Sequence, residues 1–149
     1  MKTWLVKFLS TLGFVGYSPL APGTVGTLLS IIPYFFLSKL DPVYYILSVI
    51  LIIILSIIVS SFSIEIFESQ DPKQVVADEL CGYLVTMFLV SPSLLNILLG
   101  FVLFRFFDII KPLPIRKIEQ LPGGFGIVLD DVAAGIYSCI VIHIILSFI

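Results

Sequence analysis

Charge is scarce in this sequence. Only 8 Lys or Arg and 10 Asp or Glu occur among 149 residues, 12% in all, against roughly 25% in an ordinary soluble domain. Too few polar residues remain to cover a water-soluble globule: 59% of the chain is hydrophobic and its mean hydropathy is +1.18. The formal net charge of -2 excludes an overall basic footprint for nucleic acid. Cysteine is almost absent. Cys81 and Cys139 stand apart with no partner at redox or metal-ligand spacing, and neither is followed six positions on by the Arg of a thiol-phosphatase loop. The one histidine, His143, lies inside an apolar run far from the acidic pairs, which predicts a structural role. There is no GxxxxGK[ST] loop for nucleotide hydrolysis and no DxDxT run for an aspartyl-phosphate enzyme. These absences leave an integral membrane protein of a single domain, residues 1–149, whose chemistry must come from carboxylates, Arg and Lys.

Long apolar runs are what the chain has instead. Val43 to Ser63 is about twenty residues without a charge, the length a hydrocarbon core of about 30 Å demands of a helix. Val132 to Ile149 reads as a second span, and Val25 to Leu37 is a shorter run, interrupted by Pro33, that either spans with help from its flanks or breaks. Near the start, Trp4, Leu5, Phe8, Leu9 and Leu12 recur at near-helical spacing beside Lys2 and Lys7. That pattern suits a retained interfacial helix rather than a cleaved signal peptide, because Ser10, Thr11 and Gly13 interrupt the run.

Two further runs, Leu80 to Val90 and Leu94 to Phe107, flank Ser91-Pro92-Ser93, and each is too short to cross alone. They form either one kinked span or a hairpin that dips in and returns. With a cytoplasmic N-terminus, the hairpin puts Lys2, Lys7, Lys73, Arg105, Lys111, Arg116 and Lys117 inside and Lys39 alone outside. The kinked span moves Arg105 to Lys117 to the other face and destroys that bias, so the positive-inside tendency selects the hairpin. The fold predicted is all-α: a polytopic membrane bundle with short or broken helices and a re-entrant helical hairpin.

The same layout gathers the acids near one leaflet. Asp78-Glu79 opens the Leu80 helix; Arg105, Asp108 and Lys111 follow at i+3 spacing on one stripe until Pro112 and Pro114; Asp130-Asp131 opens the last helix after Gly123-Gly124. Ionisable groups at apolar helices are costly and are usually paired or functional. Clustered carboxylates are hard oxygen donors suited to Mg²⁺ completed by phosphate oxygens, while Arg and Lys offset phosphate charge. With other nucleophiles unsupported, water activated by metal remains. The Ala21-Pro22-Gly23-Thr24-Val25-Gly26-Thr27 stretch leads into a helix whose free N–H groups and two hydroxyls either receive an anion or allow close packing in lipid.

Four stretches in order, SPLAPGTVGTL (Ser18 to Leu28), VADELCGYLVT (Val76 to Thr86), FRFFDIIKPLPIR (Phe104 to Arg116) and GGFGIVLDDVAAG (Gly123 to Gly135), resemble the phosphatidylglycerophosphatase A family. The resemblance implies a Mg²⁺-dependent phosphatase of the bacterial inner membrane that converts phosphatidylglycerophosphate to phosphatidylglycerol. It implies catalytic roles for Asp78, Glu79, Asp108 and Asp131, with Mg²⁺ held by Asp78, Glu79, Asp130 and Asp131. Arg105, Lys111, Thr24 and Gly23 would bind the phosphate, at the cytoplasmic surface. The rival reading is a small carboxylate-based cation transporter, which would place its acids towards the midplane.

Overall fold

The computed structural model describes residues 2–148, which hold seven α-helices and no strand. A short α1 (Thr3–Ser10) and a 3-10 turn (Val15–Tyr17) lead into α2 (Pro22–Leu37) and α3 (Pro42–Phe67). Then come α4 (Ala77–Thr86), α5 (Leu94–Ile110), the single-turn α6 (Ile115–Ile118) and α7 (Gly124–Leu146). Proline opens α2 and α3, where its fixed φ suits the first helical position and its missing N–H has no ladder partner to lose.

Three boundaries differ from the sequence reading. The α2 helix starts at Pro22 rather than Val25 and continues through Pro33 without a break. Proline removes one ladder bond there, but the next residue, buried Tyr34, anchors the following turn through its hydroxyl to Val90 O at 2.7 Å. The α5 helix ends at Ile110, and Lys111 follows in a left-handed conformation (φ 46°), so the Arg105–Asp108–Lys111 stripe is broken before its last member. The α7 helix begins at Gly124, so Asp130-Asp131 sits in its second turn instead of opening it.

The core is α4, a ten-residue helix enclosed by α2, α3, α5 and α7. Cys81, Gly82, Tyr83, Leu84 and Thr86 are all buried. A helix this enclosed needs partners for the carbonyls of its last turn and the loop beyond. Three other helices supply them: Tyr45 of α3 donates to Leu84 O at 2.7 Å, Tyr34 of α2 to Val90 O, and His143 of α7 lies 2.8 Å from Phe88 O. That contact gives His143 a structural place, remote from the acids.

Helices α4 and α5 are antiparallel. Glu79 meets Arg105, Gly82 faces Phe104, and Gly100 faces Met87, so positions rise along one helix as they fall along the other. This is the hairpin around Ser91–Ser93 rather than a kinked helix. The Ser93 hydroxyl accepts from Asn96 N at 3.2 Å, and Asn96 Nδ2 donates to Ser91 O and Oγ at 3.0 Å, which fixes the reversal. One end of the bundle therefore gathers the starts of α2, α4 and α7 with the ends of α3 and α5. Lys39 lies at the opposite end.

On α3 small polar side chains turn inward and large apolar ones outward. Ser56, Ser60 and Ser63 of α3 are buried, whereas Leu47, Leu51, Ile54 and Leu55 of the same helix are exposed. Only 28% of the most apolar stretch of α3 is buried, far from the covered core helix of a water-soluble domain. Small residues inside and large apolar ones outside are the arrangement that packs helices in lipid. Helices α3 and α7 are each long and apolar enough to cross a membrane. At the α4–α7 contact, a Cβ on Gly135 would collide with the Gly82 carbonyl. Gly135→Val should therefore destabilise the protein by about 1–3 kcal/mol, read as a lower melting midpoint in detergent.

Candidate active site

The acidic ends of the helices surround one cleft of about 550 Å³. Asp78 and Glu79 come from the first turn of α4, Arg105 and Asp108 from the last turns of α5, Lys111 from just beyond it, and Asp130 and Asp131 from α7. Pro22 and Gly23 contribute the first turn of α2, while Gln70–Lys73 and Glu119–Gly123 form the rim. Eight of the nine residues singled out from the sequence line this space. The exception is Thr24, which lies in the first turn of α2 but is not among the lining residues.

Two ion-pair systems organise the walls. Arg105 Nη1 lies 2.6 Å from each Glu79 carboxylate oxygen and 2.8 Å from Asp108 Oδ2. The other Glu79 partner is Thr27, whose hydroxyl is 2.7 Å from Oε2. Gly23 is required here, because a Cβ at that position would strike Glu79 Oε1. On the opposite wall, Lys111 Nζ bridges Asp130 Oδ2 and Glu119 Oε1, both at 2.7 Å. Burial opposes the charge on Lys111, but the hydrogen bonds from these two acids outweigh it and hold its pKa above the usual lysine value.

Two carboxylates have no counter-ion. Among the described residues neither Asp78 nor Asp131 takes part in an ion pair. Asp78 Oδ1 accepts only the neighbouring Glu79 N–H, at 3.0 Å. Asp131 is 4% exposed, and its Oδ2 is buried without any hydrogen-bond partner. Leaving such a group charged and alone is costly. The lining residues as a whole, seven carboxylates against three cations, would carry a formal excess of four negative charges with every carboxylate ionised. A phosphate dianion would be repelled from this space unless a cation came with it.

The donor set fits a hard divalent cation: oxygen ligands only, a surplus of negative charge, and a buried carboxylate oxygen awaiting a partner. Among the described residues no three His, Cys, Asp or Glu side chains are placed to hold a metal ion as they stand. Ligation would therefore draw on water and substrate oxygens as well, which is the habit of Mg²⁺.

A family model described as phosphatidylglycerophosphatase A matches residues 8–146. The chain belongs to the phosphatidylglycerophosphatase A family. A phosphatidylglycerophosphatase A of Haemophilus influenzae is 39% identical over 125 residues, which cover 82% of this chain and 77% of that one. The corresponding protein of Escherichia coli is 34% identical over 132 residues, 87% of this chain and 77% of its own. A Bacteroides thetaiotaomicron protein named "Putative phosphatidylinositol-3-phosphatase" is 37% identical over 136 residues, 87% and 86% of the two chains. No solved structure matches. The chain is thus a phosphatase by family, and the cleft is the place where its charged motifs meet.

Sequence reasoning missed Thr27 as a partner of Glu79 and Glu119 as a partner of Lys111. The Thr27 hydroxyl was visible as an anion donor, but its direction depends on how α2 packs on α4. Glu119 lies beyond the Pro112–Pro114 turn, where no periodicity links it to Lys111. Glu79 and Arg105 are a largely buried pair, with side chains 10% and 17% exposed, so removing one partner strands the other. Arg105→Ala should cost about 3–5 kcal/mol of stability, and the double change Arg105→Met with Glu79→Gln distinctly less, as measured by denaturant midpoints in detergent.

Proposed function

We propose that this protein is a Mg²⁺-dependent lipid phosphatase that removes the terminal phosphate of phosphatidylglycerophosphate to give phosphatidylglycerol. The observation that carries the reading is the pair of uncompensated carboxylates, Asp78 and Asp131, in a cleft that also holds Arg105 and Lys111. When bound, Mg²⁺ would supply positive charge against the phosphoryl oxygens and lower the pKa of a water molecule. Asp78 or Asp131 would hold it, joined by Asp130 once Lys111 releases its Oδ2. Glu79 joins them only by loosening its contacts with Arg105 and Thr27, which engage both of its oxygens.

The remaining steps fall to the chain's own groups. Arg105 and Lys111 bind the phosphoryl oxygens and offset the charge that develops on them. Asp108 keeps Arg105 in place through its 2.8 Å contact. Whichever of Asp78 and Asp131 does not hold the metal accepts a proton from the attacking water as its oxygen bonds to phosphorus. The phosphorus–oxygen bond to the glycerol then breaks, and the departing alkoxide takes a proton from Lys111 or from solvent. The N–H of Gly23, in the first α2 turn that borders the cleft, would add a donor to the same anion.

The bundle end that carries the cleft would face the cytoplasm, with α3 and α7 crossing the inner membrane and the α4–α5 hairpin entering from the cleft side. Lys7, Lys73, Arg105, Lys111, Arg116 and Lys117 belong to that end, which agrees with the positive-inside tendency. At ten residues, or about 15 Å, α4 is too short to cross. The acyl chains then stay in the leaflet while the headgroup meets the acids. Acids gathered at one end, rather than at the midplane, do not match the transporter alternative.

Phosphate release from phosphatidylglycerophosphate in detergent tests the assignment, with phosphatidylinositol 3-phosphate as the competing lipid. Asp78→Asn and Asp131→Asn should each lose about 100-fold in turnover while remaining folded; full turnover in both would refute it. EDTA should silence the wild type and Mg²⁺ restore it. For topology, single cysteines at Lys73 and Lys39 in a cysteine-free background should label with an impermeant maleimide from opposite sides. Reaction of both from the periplasm would overturn the orientation.

A further inference from the structure

Buried helix hydroxyls in this protein usually bond back to the carbonyl one turn earlier and go no further. Ser30 reaches Gly26 O, Thr86 reaches Gly82 O and Ser138 reaches Ala134 O, at 2.8 to 2.9 Å. Thr27, fully buried, differs. Its hydroxyl lies 2.9 Å from Gly23 O and 2.7 Å from Glu79 Oε2, a side chain 52 positions away on α4. One hydroxyl proton serves one acceptor at a time, and the charged, nearer carboxylate is the stronger acceptor.

Glu79, held from behind by Thr27, in turn holds Arg105. All of the guanidinium's acidic contacts, two to Glu79 and one to Asp108, fall on a single nitrogen, Nη1. Its Nε is buried and has no partner, and Nη2 makes no hydrogen bond among the described residues. Nε is closed off from the cleft, so Nη2 is the guanidinium nitrogen left to donate to a phosphate oxygen. The acids have thus gripped Arg105 by one nitrogen and left Nη2 unspent.

We propose that Thr27 is a positioning residue: its hydroxyl fixes Glu79, and through Glu79 it fixes Arg105 at the cleft wall, with Nη2 left to meet the phosphoryl oxygens. Glu79 acts here as a brace between α2 and α5 rather than as a metal ligand. The inference rests on the phosphatase reading and assigns one wall of the cleft, Thr27–Glu79–Arg105–Asp108, to gripping phosphate. The cation is left to the wall of Asp78, Asp130 and Asp131.

The test compares Thr27→Val, Thr27→Ser and Ser30→Ala in full-length protein in detergent, by two readouts. One is KM, kcat and the Mg²⁺ concentration for half-activation with phosphatidylglycerophosphate. The other is orthophosphate affinity by calorimetry in the presence of Mg²⁺. Loss of a hydrogen bond to a charged group predicts that Thr27→Val weakens orthophosphate binding and raises KM about tenfold, with the Mg²⁺ requirement unchanged. Thr27→Ser should recover most of the loss, and Ser30→Ala should match the wild type. If Thr27→Val fails to fold, Thr27→Ala carries the same comparison. Wild-type orthophosphate affinity in the variant, no recovery with serine, or a shifted Mg²⁺ requirement would each overturn the proposal. A wild type that releases no phosphate from the lipid would instead refute the function, while the orthophosphate arm would still report on Thr27.

Discussion

The enclosure of α4 is the constraint on which the rest depends. A ten-residue helix packed on every side by apolar elements cannot leave its polar ends to water. Its C-terminal end is satisfied by Tyr45, Tyr34 and His143 from three different helices. Its N-terminal end carries Asp78 and Glu79, where the helix dipole favours negative charge. Glu79 is neutralised within the protein by Arg105, whereas Asp78 is not. Structure and chemistry divide at that point: one of two adjacent carboxylates closes the fold, and the other remains available.

The same division runs through the whole cleft. Every cation deep in the site is already matched by two acids, Arg105 by Glu79 and Asp108, and Lys111 by Asp130 and Glu119. The surplus falls on Asp78 and Asp131. On the function proposed above, the substrate anion would arrive with a divalent cation, so that neither charge is left without a partner. Glycines make the arrangement possible at two places. Gly23 lets the first turn of α2 approach the Glu79–Arg105 pair, and Gly135 brings the α7 backbone against α4.

Much of this was legible in the residues. The near absence of charge implied lipid, and the placement of Lys and Arg favoured a re-entrant hairpin over a kinked span; what the structure shows of this is that α4 and α5 pack antiparallel. The motif acids converge, as their positions at helix ends implied. Other features did not follow from spacing. Lys111 was assigned to the Arg105–Asp108 stripe, yet the helix ends one residue before it, and its ammonium turns to Asp130 instead. Asp130 and Asp131 were placed at a helix mouth, yet Gly124 starts α7 a turn and a half earlier. Helix starts among glycines carry little local signal, since Gly neither caps strongly nor breaks reliably.

The sequence by itself determined the helical class, the apolar runs long enough to cross a membrane and the charged motifs that meet in the cleft. These follow from composition and from periods of a few residues, which local physics governs. The tertiary structure alone decided which acid pairs with which base, and hence which carboxylates stay free. That outcome depends on contacts such as Thr27 with Glu79 and Lys111 with Asp130, between residues far apart along the chain, whose distances are fixed only when four helices close around α4.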